Sequence, residues 1–339
     1  MHITIYKEPG GLAIPPKLYG GTQRVIYWLG KALVALGHKV TLIHDARSHI
    51  PGVELRALPQ DEKNPRAWHK LVPDGTDIVH LWDTPKPESP KPHLVTFEGN
   101  GNGREVRRLP ANSVFVSQRH AALHGSRNFV WNGLDPDDYL FSEKREDYAV
   151  FLAKARWDAK NLPGAIAVAR RAGIELRVLG SRNWPFNLQK LLPAVRGVRY
   201  LGMVGGREKL EQISRARCLI FPVRWEEPFG VALTEALVSG AYVVGTPYGS
   251  IKEIVTPESG VLSTRADELV EAVKNPQRFS PVKCREHVIR GGFTHFDMAK
   301  KYAAYYEKIL THGSLLEPGE APPVTQPGFN PRILLPWQE

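Results

Sequence analysis

Cysteine is nearly absent: Cys218 and Cys284 are the two in 339 residues. That is too few for a disulfide framework or a structural zinc cluster, and both read as buried thiols in a reducing compartment. Long apolar runs are missing too. No stretch approaches the roughly 18 uncharged apolar residues of a membrane helix, and the start, MHITIY, has no basic segment followed by an apolar one. The expectation is a soluble, cytoplasmic chain. There is no G-x-x-x-x-G-K-[ST], and Gly99, Gly101 and Gly103 do not fit G-x-G-x-x-G, so P-loop and dehydrogenase chemistry lack support. No basic strip interleaved with aromatics is present, which argues against nucleic acid as partner.

What is present is a basic, average-composition chain. Lys and Arg number 45 against 35 Asp and Glu, a net charge of +10 that favours an anionic partner: nucleotide phosphate, nucleic acid or an acidic membrane face. No Lys/Arg run reaches five. Arg104, Arg107 and Arg108 form the densest group, at spacings able to share a helix face, and read as solvated surface. At roughly 150 residues per domain the length implies two domains.

The order of elements gives the class. HITIY (2–6) predicts a strand, a Gly/Pro loop follows to Gly21, and Val25, Leu29, Ala32, Leu33 and Leu36 recur at helical spacing with Gly37 at the expected end. HKVTLIHD is the next strand, so a parallel sheet follows. Further strands are predicted at 77–81, 93–97, 113–117 and 128–131, then an acidic, turn-rich linker over 132–148. A second series restarts at AVFLA (149–153) and continues with 175–180, 198–202, 218–223 and 241–246, with helices near 162–172, 207–216 and 231–239. Phe296, Ala299, Tyr302, Ala303, Tyr306, Ile309 and Leu310 mark a last amphipathic helix, followed from Gly313 by a Pro-rich tail.

Three motifs carry chemistry. In Glu227-Pro-Phe-Gly-Val-Ala-Leu-Thr-Glu235 two carboxylates flank a loop-to-helix junction. A helix starting near Val231 presents the N–H groups of Phe229, Gly230 and Val231, and its positive end suits a diphosphate. Gly230 allows close approach. Glu235 would take two hydrogen bonds from a ribose diol, and Glu227 would sit nearer the group on the diphosphate. The alternative is that Glu227 caps the helix and Glu235 is a surface charge. Lys154, Arg156 and Lys160 follow the first strand of the second series, where open α/β sheets bind ligands; the alternative is an ordinary basic loop. Tyr19-Gly20-Gly21-Thr22 offers a phosphate-facing nest with Thr22 as N-cap.

With these residues the chain resembles the retaining glycosyltransferases of family 4, which have the GT-B fold. The likeness extends to about residue 310. It rests on Tyr19-Gly20-Gly21, Gly37-His-Lys-Val40, Asp77-Ile-Val-His80, Asn132-Gly-Leu-Asp135, the cationic loop, Tyr200-Leu-Gly-Met-Val204, the paired glutamates and Gly249-Ser-Ile-Lys-Glu253. The resemblance implies two facing Rossmann-like α/β domains, 1–140 with about 294–339 on the acceptor side and 141–293 on the nucleotide-sugar side, the C-terminal helix crossing back to the first. It implies transfer of a hexose from a nucleotide-sugar with retention, without metal or cofactor, to an acceptor that is a small molecule, a glycan or lipid-linked, with peripheral membrane contact in the last case. Lys160 matches the family's lysine. The family's arginine falls on Lys154 by loop length and on Arg156 by chemistry. Glu98 stands where relatives carry a His beside the donor sugar. Gly20, Gly21, Phe229, Gly230, Val231, Glu235, Val204 and Gly180 are the expected donor-binding set. Gly205 and Gly206 stand where relatives using GDP present an acidic side chain, which favours a UDP-sugar. Rival readings are an epimerase or hydrolase of the same fold, and a non-catalytic nucleotide-sugar-binding protein.

Two lookalikes are set aside. Asp135-Pro-Asp137 imitates a metal-binding Asp-x-Asp but sits in a turn, and His120 and His124 lack the Glu of the zinc-protease helix and read as a satisfied helical face.

Overall fold

The computed structural model describes all residues except 19, 59–64, 85–87, 102–106, 181–196, 326–333 and 339. The chain divides into two compact units, Met1–Leu134 with Gly292–Phe329, and Asp135–Gly291 with Asn330–Glu339. The last residues therefore group with the second unit, although the sequence reading assigns everything after about 294 to the first.

In the first unit, β1 (His2–Tyr6), β2 (Lys39–His44), β3 (Glu54–Ala57), β4 (Ile78–Trp82), β5 (His93–Phe97) and β6 (Ser113–Phe115) form one parallel sheet in the order β3-β2-β1-β4-β5-β6. β1 and β4 are buried along their whole length, as parallel strands covered on both faces must be. The first helix, α1 (Gly21–Ala35), buries Val25, Ile26, Leu29, Ala32 and Leu33 and ends at Gly37 in the left-handed region. Its N-cap is Gly20, not Thr22, and no side chain caps it. Tyr19, expected in the same nest, lies outside the described residues. The short α2 (Gln118–Leu123) follows β6.

In the second unit the parallel sheet comprises β7 (Tyr148–Leu152), β8 (Glu175–Leu179), β9 (Val198–Gly202), β10 (Cys218–Phe221), β11 (Tyr242–Gly245) and β12 (Gly260–Leu262), in the order β12-β11-β10-β7-β8-β9. Its described helices are α3 (Leu162–Ala172), α4 (Gly206–Arg215), α5 (Val231–Val238), α6 (Ile251–Ile254), α7 (Ala266–Lys274) and α8 (Pro281–Arg290). The chain then returns to the first unit as α9 (His295–His312), opened by a capping box between Thr294 and Asp297 and packed on α1. On α9, Tyr302 and Tyr306 are fully buried whereas Phe296 and Leu310 are exposed.

Several local expectations change. Residues 128–131 are no strand; Phe129 makes an isolated bridge to Phe115. Arg107 and Arg108 are not helical: Arg108 bridges antiparallel to Val324, and the Arg107 carbonyl accepts from the Thr325 N–H at 2.8 Å. Arg104 lies outside the described residues. The supposed linker is partly built into the second unit, where Tyr139 is buried. Cys218 and Cys284 are free and buried. Among the described residues no helix is long and apolar enough to cross a membrane.

Both sheets carry the strand order in which the chain reverses its direction of travel at one place, between β1 and β4 and again between β7 and β10. The carboxyl ends of strands at such a reversal leave a crevice that loops cannot fill, and ligands bind there.

Candidate active site

At the carboxyl end of β7 the chain turns through Lys154 and Arg156, both exposed, into a short 3-10 turn over Asp158–Lys160. Asn161 ends that turn in the left-handed region and caps α3 with its side chain, which fixes Lys160 just ahead of the helix. Lys160 points inward: its Nζ donates to Glu227 Oε2 at 2.6 Å and lies 4.8, 5.2 and 5.3 Å from the ring centres of Trp225, Phe221 and Trp157. The same carboxylate oxygen accepts the Trp225 indole N–H at 2.6 Å. An ammonium surrounded by aromatic faces and bonded to a carboxylate is held in place.

Glu227 owes its position to Gly249 and Ser250. The Ser250 N–H donates to the Glu227 carbonyl at 2.9 Å, and Ser250 Oγ donates to that of Phe229 at 2.6 Å. Gly249 has φ +65°, and a Cβ there would lie 2.2 Å from the Glu227 carbonyl oxygen, so only glycine lets the two loops touch. Gly230 is the N-cap of α5, and no side chain, Glu227 included, caps the helix. The capping alternative is thereby removed. α5 begins at Val231 as expected, so its first N–H groups have no carbonyl partner within the helix.

Glu235 is not a surface charge. It is buried, and its Oε1 accepts Lys209 Nζ at 2.6 Å and the Tyr139 hydroxyl at 2.5 Å. Both glutamates thus have the same arrangement, one carboxylate oxygen shared by a buried lysine and an aromatic hydrogen-bond donor. Lys209, Tyr139 and Trp225 were not anticipated from sequence. Their partners lie 26, 96 and 2 residues away, so only Trp225 was close enough in the chain to have been read beside its glutamate.

The remaining expected residues are placed as follows. Gly180 packs the end of β8 against the β7 loop; a Cβ there would lie 2.1 Å from the Ala153 carbonyl oxygen. Val204 is half-buried in the loop from β9 to α4, followed by Gly205 as N-cap and the exposed Gly206. Gly20 and Gly21 belong to the first unit, where a Cβ on Gly21 would meet open space.

Glu98, also in the first unit, follows β5. Its N–H donates to Asp83 Oδ1 at 3.0 Å, and its Oε2 accepts from Asn132 Nδ2 at 2.9 Å. Burial, then the neighbouring Asp83 charge, push its carboxyl up to about 7. Asp83 lies at φ +49°, unusual for a non-glycine residue, and pairs with Lys7 at 3.2 Å.

The two lookalikes resolve structurally. Asp135 accepts from the Asp137 N–H at 3.0 Å, closing a 3-10 turn. His120 takes the Val116 N–H and donates to the Gly99 carbonyl, while His124 donates to that of Val324 and stacks on Phe115. No group of three His, Cys, Asp or Glu among the described residues is placed to hold a metal ion.

Residues 152–275, from the end of β7 to just past α7, match the family model described as glycosyl transferases group 1. A curated phosphatidyl-myo-inositol mannosyltransferase from Propionibacterium freudenreichii is 23% identical over 273 residues, 74% of this chain and 65% of the relative. The chain thus spans somewhat under two thirds of that relative's length. Among solved structures, AviGT4, a glycosyltransferase involved in avilamycin A biosynthesis, superposes with a TM-score of 0.75 at 22% identity, covering 92% of this chain and 98% of its own. The HepE protein of Anabaena in complex with UDP-glucose superposes with a TM-score of 0.64 at 14% identity, over 91% and 100%. The fold of this chain is that of GT-B structures, two Rossmann-like units each with a six-stranded parallel sheet.

Proposed function

We propose that the chain is a retaining hexosyltransferase that works without a metal ion, takes its sugar from a UDP-sugar in preference to a GDP-sugar, and passes it to a hydroxyl of its acceptor. The observation that carries this reading is the Lys160–Glu227–Trp225 cluster at the reversal between β7 and β10, beside the start of α5. A pyrophosphate there meets the helix N-terminus around Phe229, Gly230 and Val231 and the ammonium of Lys160. The bond from the anomeric carbon to the phosphate oxygen breaks with its electron pair on that oxygen. The acceptor oxygen bonds to the same face of the carbon, and its proton passes to the departing phosphate. Charge grows on the diphosphate as this happens, and Lys160, Arg156, Lys154 and the α5 dipole stabilise it. Arg156 is the bidentate partner and Lys154 a point charge. Glu235, held by Lys209 and Tyr139, takes the ribose hydroxyls, and Val204 and Gly180 border the nucleoside.

The HepE complex with UDP-glucose and the glycines at 205 and 206 support uridine. The mannosyltransferase relative and the basic charge are compatible with a lipid-linked acceptor at an acidic membrane face. The test is thermal stabilisation by UDP-glucose, UDP-galactose and GDP-mannose, with and without EDTA, followed by NMR of the product anomer. We expect a UDP-sugar to raise the melting temperature unchanged by EDTA, Lys160→Ala to abolish turnover, and the product to keep the donor's anomeric configuration. An obligatory divalent ion, or no response to any sugar nucleotide, overturns the reading.

A further inference from the structure

The segment 334–338 runs along the carboxyl ends of the second sheet, in the order of the strands it passes. In the loop after β10, the Leu335 N–H donates to the Arg224 carbonyl at 2.8 Å, and Arg224 Nε donates back to the Leu335 carbonyl at 2.8 Å. The Tyr248 hydroxyl, in the loop after β11, donates to the Pro336 carbonyl at 2.7 Å. Beyond β12, the Gln338 N–H donates to the Thr264 carbonyl at 2.9 Å and the Gln338 carbonyl accepts from the Ala266 N–H at 2.8 Å, forming a parallel bridge. β10, β11 and β12 are consecutive neighbours in the sheet. Adjacent strands stand about 4.8 Å apart and an extended chain advances about 3.3 Å per residue, so the steps from Leu335 to Gln338 have the length that crossing from β10 to β12 requires.

Two of these three loops carry or support the Lys160–Glu227 pair. Arg224 directly precedes Trp225, whose indole bonds Glu227 Oε2, and the Arg224 N–H donates to the Ala159 carbonyl at 2.7 Å, next to Lys160. One residue thus bonds the segment on one side and the lysine's turn on the other. Tyr248 directly precedes Gly249 and Ser250, on which the Glu227 backbone rests. Loops at strand ends open at little cost unless hydrogen bonds tie them. A charged pair presented to a ligand works only if it is held within about 0.5 Å of its geometry, and order lacking in the free protein is subtracted from the binding free energy. We infer that residues 334–338 form a positioning strap for Lys160 and Glu227, acting through Arg224 and Tyr248. The strap rests on the proposed function only where its effect is read as donor affinity.

Calorimetric titration with UDP-glucose, hydrogen exchange and thermal melting compare the full chain with one ending at residue 333. The shortened chain is expected to lose exchange protection at residues 222–230 and 246–251 while β7 and β8 keep theirs. It should bind UDP-glucose at least ten-fold more weakly and melt within a few degrees of the full chain, and a synthetic peptide of residues 334–339 added in trans at millimolar concentration restores the affinity. Leu335→Pro in the full chain, which removes the N–H that bonds the Arg224 carbonyl, moves the same readouts in the same direction, and it decides should the shortened chain fail to fold. The inference fails if loop protection and UDP-glucose affinity are unchanged, or if protection is lost evenly across the second unit, the mark of a segment that only stabilises it. Should the full chain bind no sugar nucleotide, the donor reading falls, and loop protection alone decides the strap.

Discussion

Glu98 shows how one buried side chain couples pH to stability. Its carboxyl titrates near 7 because burial and the Asp83 charge oppose ionisation. A raised carboxyl pKa means that the folded state holds its proton while the unfolded chain has already released it. Stability on this account is full below the ordinary value near 4.5 and is lost as pH rises towards 7. The difference corresponds to about 3 kcal/mol at pH 8. Glu98→Gln removes the titration and keeps the Asn132 partner. Its melting temperature is therefore expected to match wild type at pH 4.5 and to exceed it by several degrees at pH 8. Calorimetry at the two pH values measures this; a gap that is the same at both would show that Glu98 ionises freely.

Among elements, a buried ion pair in the second unit joins α4 to α5 through Lys209 and Glu235, with Tyr139 completing the carboxylate. A buried pair of this kind gives little net stability over an apolar substitute, but removing one partner strands the other charge. Lys209→Met is expected to cost about 3–5 kcal/mol in urea unfolding. Lys209→Met with Glu235→Gln should recover most of that, since the amide oxygen still accepts from Tyr139 and no charge is left. If the double variant is as unstable as the single, packing by the lysine stem and not its charge is what α5 requires. The elements themselves were largely legible. Strands β1, β2, β4, β5, β7 and β10 are short apolar runs and were read near their observed bounds, as were α1, α3, α5 and α9. The edge strands β3 (ELRA) and β12 (GVL) were not read, because their residues show little apolar pattern and their pairing is supplied by β2 and β11.

For the whole molecule, the two units differ in how they respond to acid. His2, His38, His44, His80, His93, His120 and His124 all have lowered pKa values, burial being the leading cause in each, with His44 at about 4 and His120 at about 3. All seven lie in the first unit. A lowered histidine pKa gives stability that is present above the unfolded value near 6.5 and is lost as pH falls below it. His80 illustrates the cause: its ring bonds Tyr306 at 2.6 Å and Thr96 at 2.8 Å and has no room for a hydrated charge. Between pH 7 and 5, hydrogen-exchange protection factors, corrected for the intrinsic rate at each pH, are expected to fall in first-unit peptides ahead of second-unit peptides. A parallel fall in both would contradict this. Glu98 works the other way in the same window, but it is one group against seven.

The sequence by itself determined the two α/β series, the strand-to-helix junctions and the residues that bear charge at them, because hydrophobic periodicity, glycine ends and cationic loops are local properties. Tertiary structure alone decided which charges pair. Lys160 meets Glu227 across 67 residues, Lys209 meets Glu235 across 26, and Asn132 meets Glu98 across 34. Whether a carboxylate is a solvated charge or half of a buried pair depends on what the sheet order brings beside it. Strand order is set by packing over the whole sheet, which no window of the chain contains.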